Sequence, residues 1–457
     1  MKSLNSPPNS ARSANPAQST NPARSANPER IPFTSPGLSC AKRAYPGFER
    51  QTSSLQNAYK FKNPVALLAA LSASLLLTFG CAQTETEPTE DTAKHQDPLI
   101  KTLETKVLPL ISDHKVAGVG IALIDEDEVA WTGYFGQRTA EKGIDAQTMF
   151  NTGSVAKTVT AETVLRLVED GRLSLDEPIA DHWSEPDLVD DDRYGLLTPR
   201  IILSHRTGLL NWSYAYPDGK LAFVAEPGEK LTYSGVGYEM LVNFVQTKLG
   251  EDFETLARQY VYEPMDLVQI SLSRQDWIDP FITDPMDSEG VYHKPYTYPG
   301  IAWVKPKGYL DGADDLYVSI NDYAKFMIQS MAAKGLSPEL ASERVQVISD
   351  ARNEHGWTCS LPVEQCPDPY GYGLGWTVFQ FKDETGNRTF IQHGGTDFGE
   401  HAMAYYIPES RSGVVIFVNG GNGPALVLDL LDLLEENHPL SRHFRALYNK
   451  LKSGEST

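Results

Sequence analysis

Positive charge is in short supply in this chain. Of 457 residues, 40 are Lys or Arg and 60 are Asp or Glu, a formal net charge of −20. Nine of the basic and two of the acidic residues fall within residues 1–81, leaving 31 against 58 in the remainder. A body that acidic repels phosphate backbones, so no nucleic-acid partner is expected. Cysteine is scarce as well, with four in all. Neither a Cys–His cluster nor a His-Glu-x-x-His occurs, so the sequence presents no metal site, and no motif in it calls for a cofactor. A Gly-x-Ser-x-Gly elbow is also missing, which counts against an α/β-hydrolase. Apolar runs are short. The longest stretch of interest, Val65–Phe79, is brief for a stable membrane span.

What is present begins with residues 1–59, where Ser, Asn, Pro and Ala dominate near-repeats such as SANPA and SANPE. Too few bulky apolar residues occur there to drive folding, and disorder is expected. A start codon placed too far upstream is the alternative. Lys60 and Lys62 then precede the apolar run, which ends in Gly80-Cys81. A short positive region, an apolar core and a small residue before a cut site make an export signal. With Cys81 at the junction, 60–81 resembles a bacterial lipoprotein signal, although Thr78 and Phe79 depart from its usual residues. Lipidation of Cys81 would anchor an exported protein to the membrane, in the periplasm or cell envelope. A plain membrane anchor, or a signal cut elsewhere, is the competing reading. Residues 82–98 are polar and acidic, as a tether should be. Cys359 and Cys366 flank six residues in a Pro-containing loop and could pair in an oxidising compartment.

From residue 99 to about 440 the pattern is that of one folded domain, with 441–457 as a tail. Leu99–His114 has amphipathic helical spacing despite Pro109. Gly118–Ile124 and Glu128–Tyr134 alternate as strands joined by an acidic hairpin turn. A long helical and loop-rich section follows to about Ala333, with Tyr323–Ala333 as a clear helix. Strand patterning returns at Gly375–Phe381, Arg388–Gln392, Ala402–Ile407 and Gly413–Val418, before an apolar helix at Pro424–Asn437. Strands at both ends with helices between predict an α+β domain, an antiparallel sheet from N- and C-terminal segments carrying a helical insertion.

The stretch Phe150–Gly171 (FNTGSVAKTVTAETVLRLVEDG) organises the rest. Ser154 and Lys157 stand three apart at the start of a buried helix, so the two side chains share a face. A serine is a weak nucleophile until a neighbouring base takes its proton, and the lysine is placed to do so. The helix start adds N–H groups and partial positive charge. Ser-x-x-Lys occurs three times in the chain, at Ser39, Ser112 and Ser154, but only the third opens an apolar helix. On spacing alone a capping serine and a surface lysine remain an equal reading.

Two further motifs follow in order: Tyr233-Ser234-Gly235, within EPGEKLTYSGVGYEML, and His393-Gly394-Gly395. With TPRIILSHRTGLL (198–210) and YGLGW (372–376), the ordered set resembles the serine β-lactamase and penicillin-binding-protein family, in its class C and D-alanyl-D-alanine carboxypeptidase branch, which includes esterases. The resemblance covers roughly residues 99–437. It implies the β-lactamase/transpeptidase-like fold and an acyl-enzyme on Ser154. Lys157 would be the nearest proton acceptor and Tyr233 a proton relay, with the choice of base open. It further implies an oxyanion held by the N–H groups of Ser154 and Thr396, a substrate-facing His393 that orients a carboxylate or polarises the site, and room for substrate at Gly394 and Gly395.

One departure matters. Gly235 stands where the family usually has an Asn whose amide holds the lysine and a substrate carbonyl. Losing that contact should hurt amide and β-lactam hydrolysis more than ester hydrolysis, since esters have the better leaving group. The expectation is therefore an exported esterase or D-amino-acid peptidase rather than a resistance β-lactamase. A degenerate receptor that binds without turnover is the alternative. His205, after Ile201-Ile202-Leu203, reads as structural, and the Tyr- and Pro-rich 279–306 region as a pocket mouth. Oligomeric state is not legible.

Overall fold

The structure is a computed structural model that describes residues 97–453 apart from 299–303, 353, 355–356 and 384–385. The stretch 1–59, the expected signal 60–81 with Cys81, and residues 82–96 of the expected tether lie outside the described residues.

Helix α1 (Pro98–Asp113) starts where the Asp97 carboxylate accepts the Leu99 N–H at 2.7 Å, and buries Ile100, Leu103, Val107 and Ile111 at helical spacing. Strands β1 (Gly118–Asp125) and β2 (Glu128–Gly136) are joined through Glu126 and Asp127, with φ of 50° and 64°. Positive φ at both central residues is what a two-residue hairpin loop requires. The middle of the chain holds β3 (Met149–Asn151), α2 (Ala156–Glu169), α3 (Pro199–Leu203), α4 (Gly235–Leu249), α5 (Phe253–Ala257), β4 (Ile270–Ser271), β5 (Tyr317–Ser319), α6 (Ile320–Met331) and α7 (Pro338–Val345). Strands β6 (Ser349–Asp350), β7 (Tyr370–Tyr372), β8 (Thr377–Asp383), β9 (Gly386–Asp397), β10 (Glu400–Ile407) and β11 (Ser412–Asn419) follow, then helices α8 (Gly423–Leu434) and α9 (Pro439–Ser453).

Among the described residues, one antiparallel sheet of eight strands runs in the order β2-β1-β11-β10-β9-β8-β7-β6. Gly118 pairs with Asn419 and Ile124 with Gly413, so the N-terminal hairpin is zipped onto the last strand of the chain. This is the α+β architecture expected, an antiparallel sheet from both ends of the domain with the helices inserted between. Alternate side chains divide the core between the two faces. Val119, Ile121, Ile416 and Val418 pack with Leu103 and Val107 of α1 and Leu426 and Leu430 of α8. Ala122, Val415, Phe417 and Ala404 pack with Val159 and Leu165 of α2, Phe244 of α4 and Phe326 of α6. Gly120 lets α6 sit close, because a Cβ there would stand 2.5 Å from Ile320 Cγ1.

Two features depart from the sequence reading. A small second sheet, β3-β5-β4, runs through the section expected to be helices and loops. Its strands of two or three residues are too short to display alternation. The expected tail at 441–457 is instead mostly helix α9, so the fold extends past residue 440. Leu440 and His443 are buried, Ser441 Oγ donates to the Leu428 carbonyl at 3.2 Å, and Arg445 pairs with Asp429 and Asp432 of α8. In the sequence, Arg442, Arg445, Lys450 and Lys452 interrupt the apolar residues of α9 and mask its stripe.

Candidate active site

Ser154 lies on a single 3-10 turn, Gly153–Val155, between β3 and α2. The turn is pinned from behind by Asn151, whose side-chain oxygen accepts the Gly153 N–H at 3.2 Å and whose amide donates to Asp397 at 2.7 Å. Glu400 takes the Asn151 backbone N–H at 2.7 Å, and the Tyr298 hydroxyl donates to Asp397 at 2.9 Å. Lys305 and Asp315 form a buried ion pair beside them. The 279–306 region thus supplies Tyr298 and Lys305 to the wall behind the turn.

Lys157, in the first turn of α2, is fully buried. Its Nζ donates to Ser154 Oγ at 3.1 Å and to the Ala313 carbonyl at 2.7 Å. The rings of Tyr233, Tyr238 and Trp212 surround the Nζ at 5.0, 5.7 and 5.8 Å from their centroids. Burial lowers the lysine pKa to about 8, against the opposing pull of Asp314, Asp311 and Glu239.

Tyr233, at the end of the extended segment leading into α4, lies near Ser154 with its ring 5.0 Å from Lys157 Nζ, and burial raises its phenol well above the ordinary value. Its ring stacks on His205 at 4.2 Å. His205 Nδ1 accepts the Ser234 N–H at 3.1 Å and its carbonyl accepts the Thr232 N–H at 2.7 Å. The residue read as structural therefore grips the chain on both sides of the tyrosine.

The third motif lies in β9 beyond Gln392, the last residue of β9 paired with β8, so the edge at 393–397 is free to meet the Ser154 turn. Gly395 is bare because of that meeting. A Cβ on it would stand 1.9 Å from the Thr152 carbonyl oxygen and 2.8 Å from Ser154 N, so the space read as room for substrate is taken by the nucleophile's own turn. Gly153 has φ +55°, and a Cβ there would reach 2.8 Å from Thr396 N. The two glycines bring the N–H groups of Ser154 and Thr396 onto adjoining segments, the donors of the implied oxyanion hole. Gly394 faces Gln392 and Ala402 at looser contact. Thr396 Oγ1 hydrogen-bonds His401 at 2.7 Å. His393 is buried, its Nδ1 bonded to the Gly394 carbonyl at 2.7 Å and its Nε2 without a protein partner. Burial and the Lys157 charge lower its pKa to about 3. A neutral imidazole polarises or hydrogen-bonds, but offers no charge to a carboxylate.

Cys359 and Cys366 form a disulfide in the loop before β7, remote in sequence from all three motifs.

Two site residues escaped the sequence reading. Asp314 accepts a hydrogen bond from Ser154 Oγ at 3.2 Å. Its only sequence signal is an acidic pair in DGADDLYVS, ahead of β5. Trp212 fills the space beside Gly235, where a Cβ would stand 2.6 Å from two of its ring carbons. The pairing of a large residue with a missing side chain cannot be seen without the structure.

A family model described as Beta-lactamase matches residues 93–436. Among curated proteins the chain is similar to the unguisins hydrolase ungD of Aspergillus violaceofuscus, 27% identical over 381 residues, which are 73% of this chain and 65% of that protein. Among solved structures it is similar to the octameric penicillin-binding protein homologue from Pyrococcus abyssi, with TM-score 0.60 at 21% identity over 74% of this chain and 78% of that one. It is also similar to D-alanine carboxypeptidase AmpC from Burkholderia cenocepacia, with TM-score 0.55 at 18% identity over 78% of this chain and 99% of that one. The fold is the one these structures share, a β-lactamase/transpeptidase-like domain.

Proposed function

The chain belongs to the beta-lactamase family, and from that premise we propose that it is a serine hydrolase acting through an acyl-enzyme on Ser154. The observation that carries the reading is the intact nucleophile environment. Ser154 Oγ is within 3.2 Å of both Lys157 and Asp314, and the Tyr233 ring lies 5.0 Å from the Lys157 Nζ. As Oγ attacks an acyl carbonyl, the N–H groups of Ser154 and Thr396 receive the oxyanion. One such donor is typically worth about 3–4 kcal/mol of barrier.

Esters and D-amino-acid peptides are favoured over β-lactams as substrates. The amide that would hold a substrate carbonyl is absent at Gly235, and Trp212 fills its place. The hydrolase and carboxypeptidase names of similar proteins support hydrolysis without fixing the acyl group. A receptor that acylates without turnover is the second reading, favoured by that same Gly235–Trp212 replacement.

Turnover of a short-chain nitrophenyl ester and of a chromogenic cephalosporin by the full chain, with and without Ser154→Ala, tests the proposal. Ester turnover abolished in the alanine form and exceeding cephalosporin turnover in the native form is expected. Equal turnover by both forms contradicts the acyl-enzyme. A stable, stoichiometric adduct without release supports the receptor.

A further inference from the structure

The hydroxyl of Ser154 has one proton to give, and two groups stand at its oxygen, Lys157 Nζ at 3.1 Å and Asp314 Oδ1 at 3.2 Å, with Tyr233 nearby. Lys157 is placed as a donor. It points at Oγ and at the Ala313 carbonyl, which can only accept. Asp314 lies on the opposite role, accepting from Oγ. Its backbone is fixed by Asp311, whose carboxylate receives the N–H groups of Ala313 at 2.8 Å and Asp314 at 3.0 Å. One short loop thus presents the carbonyl that anchors the lysine and the carboxylate that meets the serine. With Trp212 closing the space beside Gly235, the polar contacts that hold this end of the site come from residues 313 and 314 instead.

We propose that Asp314 is a catalytic residue, the proton acceptor for Ser154, with Lys157 serving as the ammonium that steadies the developing negative charge. This rests on the Ser154 acyl-enzyme reading above. As the bond from Oγ to the acyl carbon forms, the Oγ proton passes to Asp314 and the carbonyl electron pair moves onto oxygen. When the carbonyl re-forms, the bond to the leaving oxygen breaks and that oxygen takes the proton from Asp314. Water repeats the sequence on the acyl-enzyme, giving its proton to Asp314, and Ser154 leaves with that proton as the acid is released.

The surroundings suit the role. Burial raises the Asp314 carboxyl above the ordinary carboxylate range, Asp397 of β9 and Asp311 and Asp315 of its own loop add to the effect, and Lys157 of α2 opposes it. Tyr233, just before α4, and Glu239 of α4 also feel its charge. A raised carboxylate is a stronger base than an exposed one.

The sign of the pH dependence separates this from a lysine base. With Asp314 accepting, kcat/KM rises on the acid side as the carboxyl ionises, and falls above about 8 as Lys157 loses its proton. With Lys157 accepting, kcat/KM rises through about 8 instead. The experiment is the pH profile of nitrophenyl ester hydrolysis by the full chain, its Asp314→Asn and Asp314→Glu variants, and Ser154→Ala. The result expected is a native profile falling above pH 8. Asp314→Asn should lose about 100-fold or more with its acid limb gone, and Asp314→Glu should keep that limb. A native profile rising through about 8 overturns the proposal, and does so even if the variants fail to fold. An Asn variant reduced by less than about tenfold, or one that retains the acid limb, overturns it as well. Full turnover in Ser154→Ala would sink the hydrolase reading itself. An inactive Ser154→Ala beside an unaltered Asp314→Asn sinks the role of Asp314 alone.

Discussion

Trp212 and Gly235 are a pair, and their chemistry is best argued at the level of single side chains. The indole lies against the α-carbon of Gly235 and also flanks the Lys157 ammonium. An amide in that place would hold the lysine by a hydrogen bond, whereas the indole holds it by enclosure and leaves the hydrogen bond to the Ala313 carbonyl. Restoring the amide therefore cannot work by itself. Gly235→Asn should destabilise the protein by about 1–3 kcal/mol through overpacking, read as a lower urea midpoint, with no gain in cephalosporin turnover. Combining it with Trp212→Ala makes room, and cephalosporin turnover should then exceed that of either single variant. A gain from Gly235→Asn alone would contradict the packing argument. Gly235 was visible in the sequence as a departure from the family motif, but its partner was not, because residues 23 positions apart gave no sign of sharing a volume.

At the scale of elements, the site is a junction between a helix start and a strand edge. The 3-10 turn carries Ser154, α2 carries Lys157, and the end of β9 beyond its pairing with β8, still zipped to β10, carries His393 to Thr396. Helix α2 is held by Glu162, fully buried and paired with Arg344 of α7 at 2.9 Å and with Arg166 at 3.0 Å. The contact between turn and strand depends on Gly395. Gly395→Ala drives a Cβ into the Thr152 carbonyl, so the turn must move off β9 and the two oxyanion donors separate. About 100-fold or more should be lost from kcat, with KM for the ester little changed. An alanine variant with native kcat would mean that the two segments do not cooperate. The sequence made the helix and the strand legible through their periodicity. It did not show that they touch, because close approach of two backbones leaves only glycines as its mark, and Gly395 reads equally well as space for substrate.

At the scale of the molecule, the α+β plan followed from strand patterns at the two ends of the domain and helices between them. The register of Gly118 against Asn419 is the physical form of that inference. The two-residue hairpin at Glu126 and Asp127 and the apolar α8 were equally readable. What escaped were elements whose signal is weak per residue. These are the short strands of the second sheet and helix α9, whose buried Leu440 and Leu447 are outnumbered by charged and polar neighbours. Asp314 escaped for a related reason, as one acidic residue among many in an acidic chain, given meaning only by the loop that brings it from 160 positions away to the nucleophile. The proposed chemistry turns on one oxygen atom, Ser154 Oγ, and one measurement addresses it. The full chain is mixed with a nitrophenyl ester, quenched in acid during turnover, digested, and mapped by mass spectrometry. The result expected is the acyl mass on the peptide containing Ser154, absent in Ser154→Ala. An acyl group found on another residue, or rapid turnover with no acylated peptide at any quench time, would contradict the Ser154 acyl-enzyme.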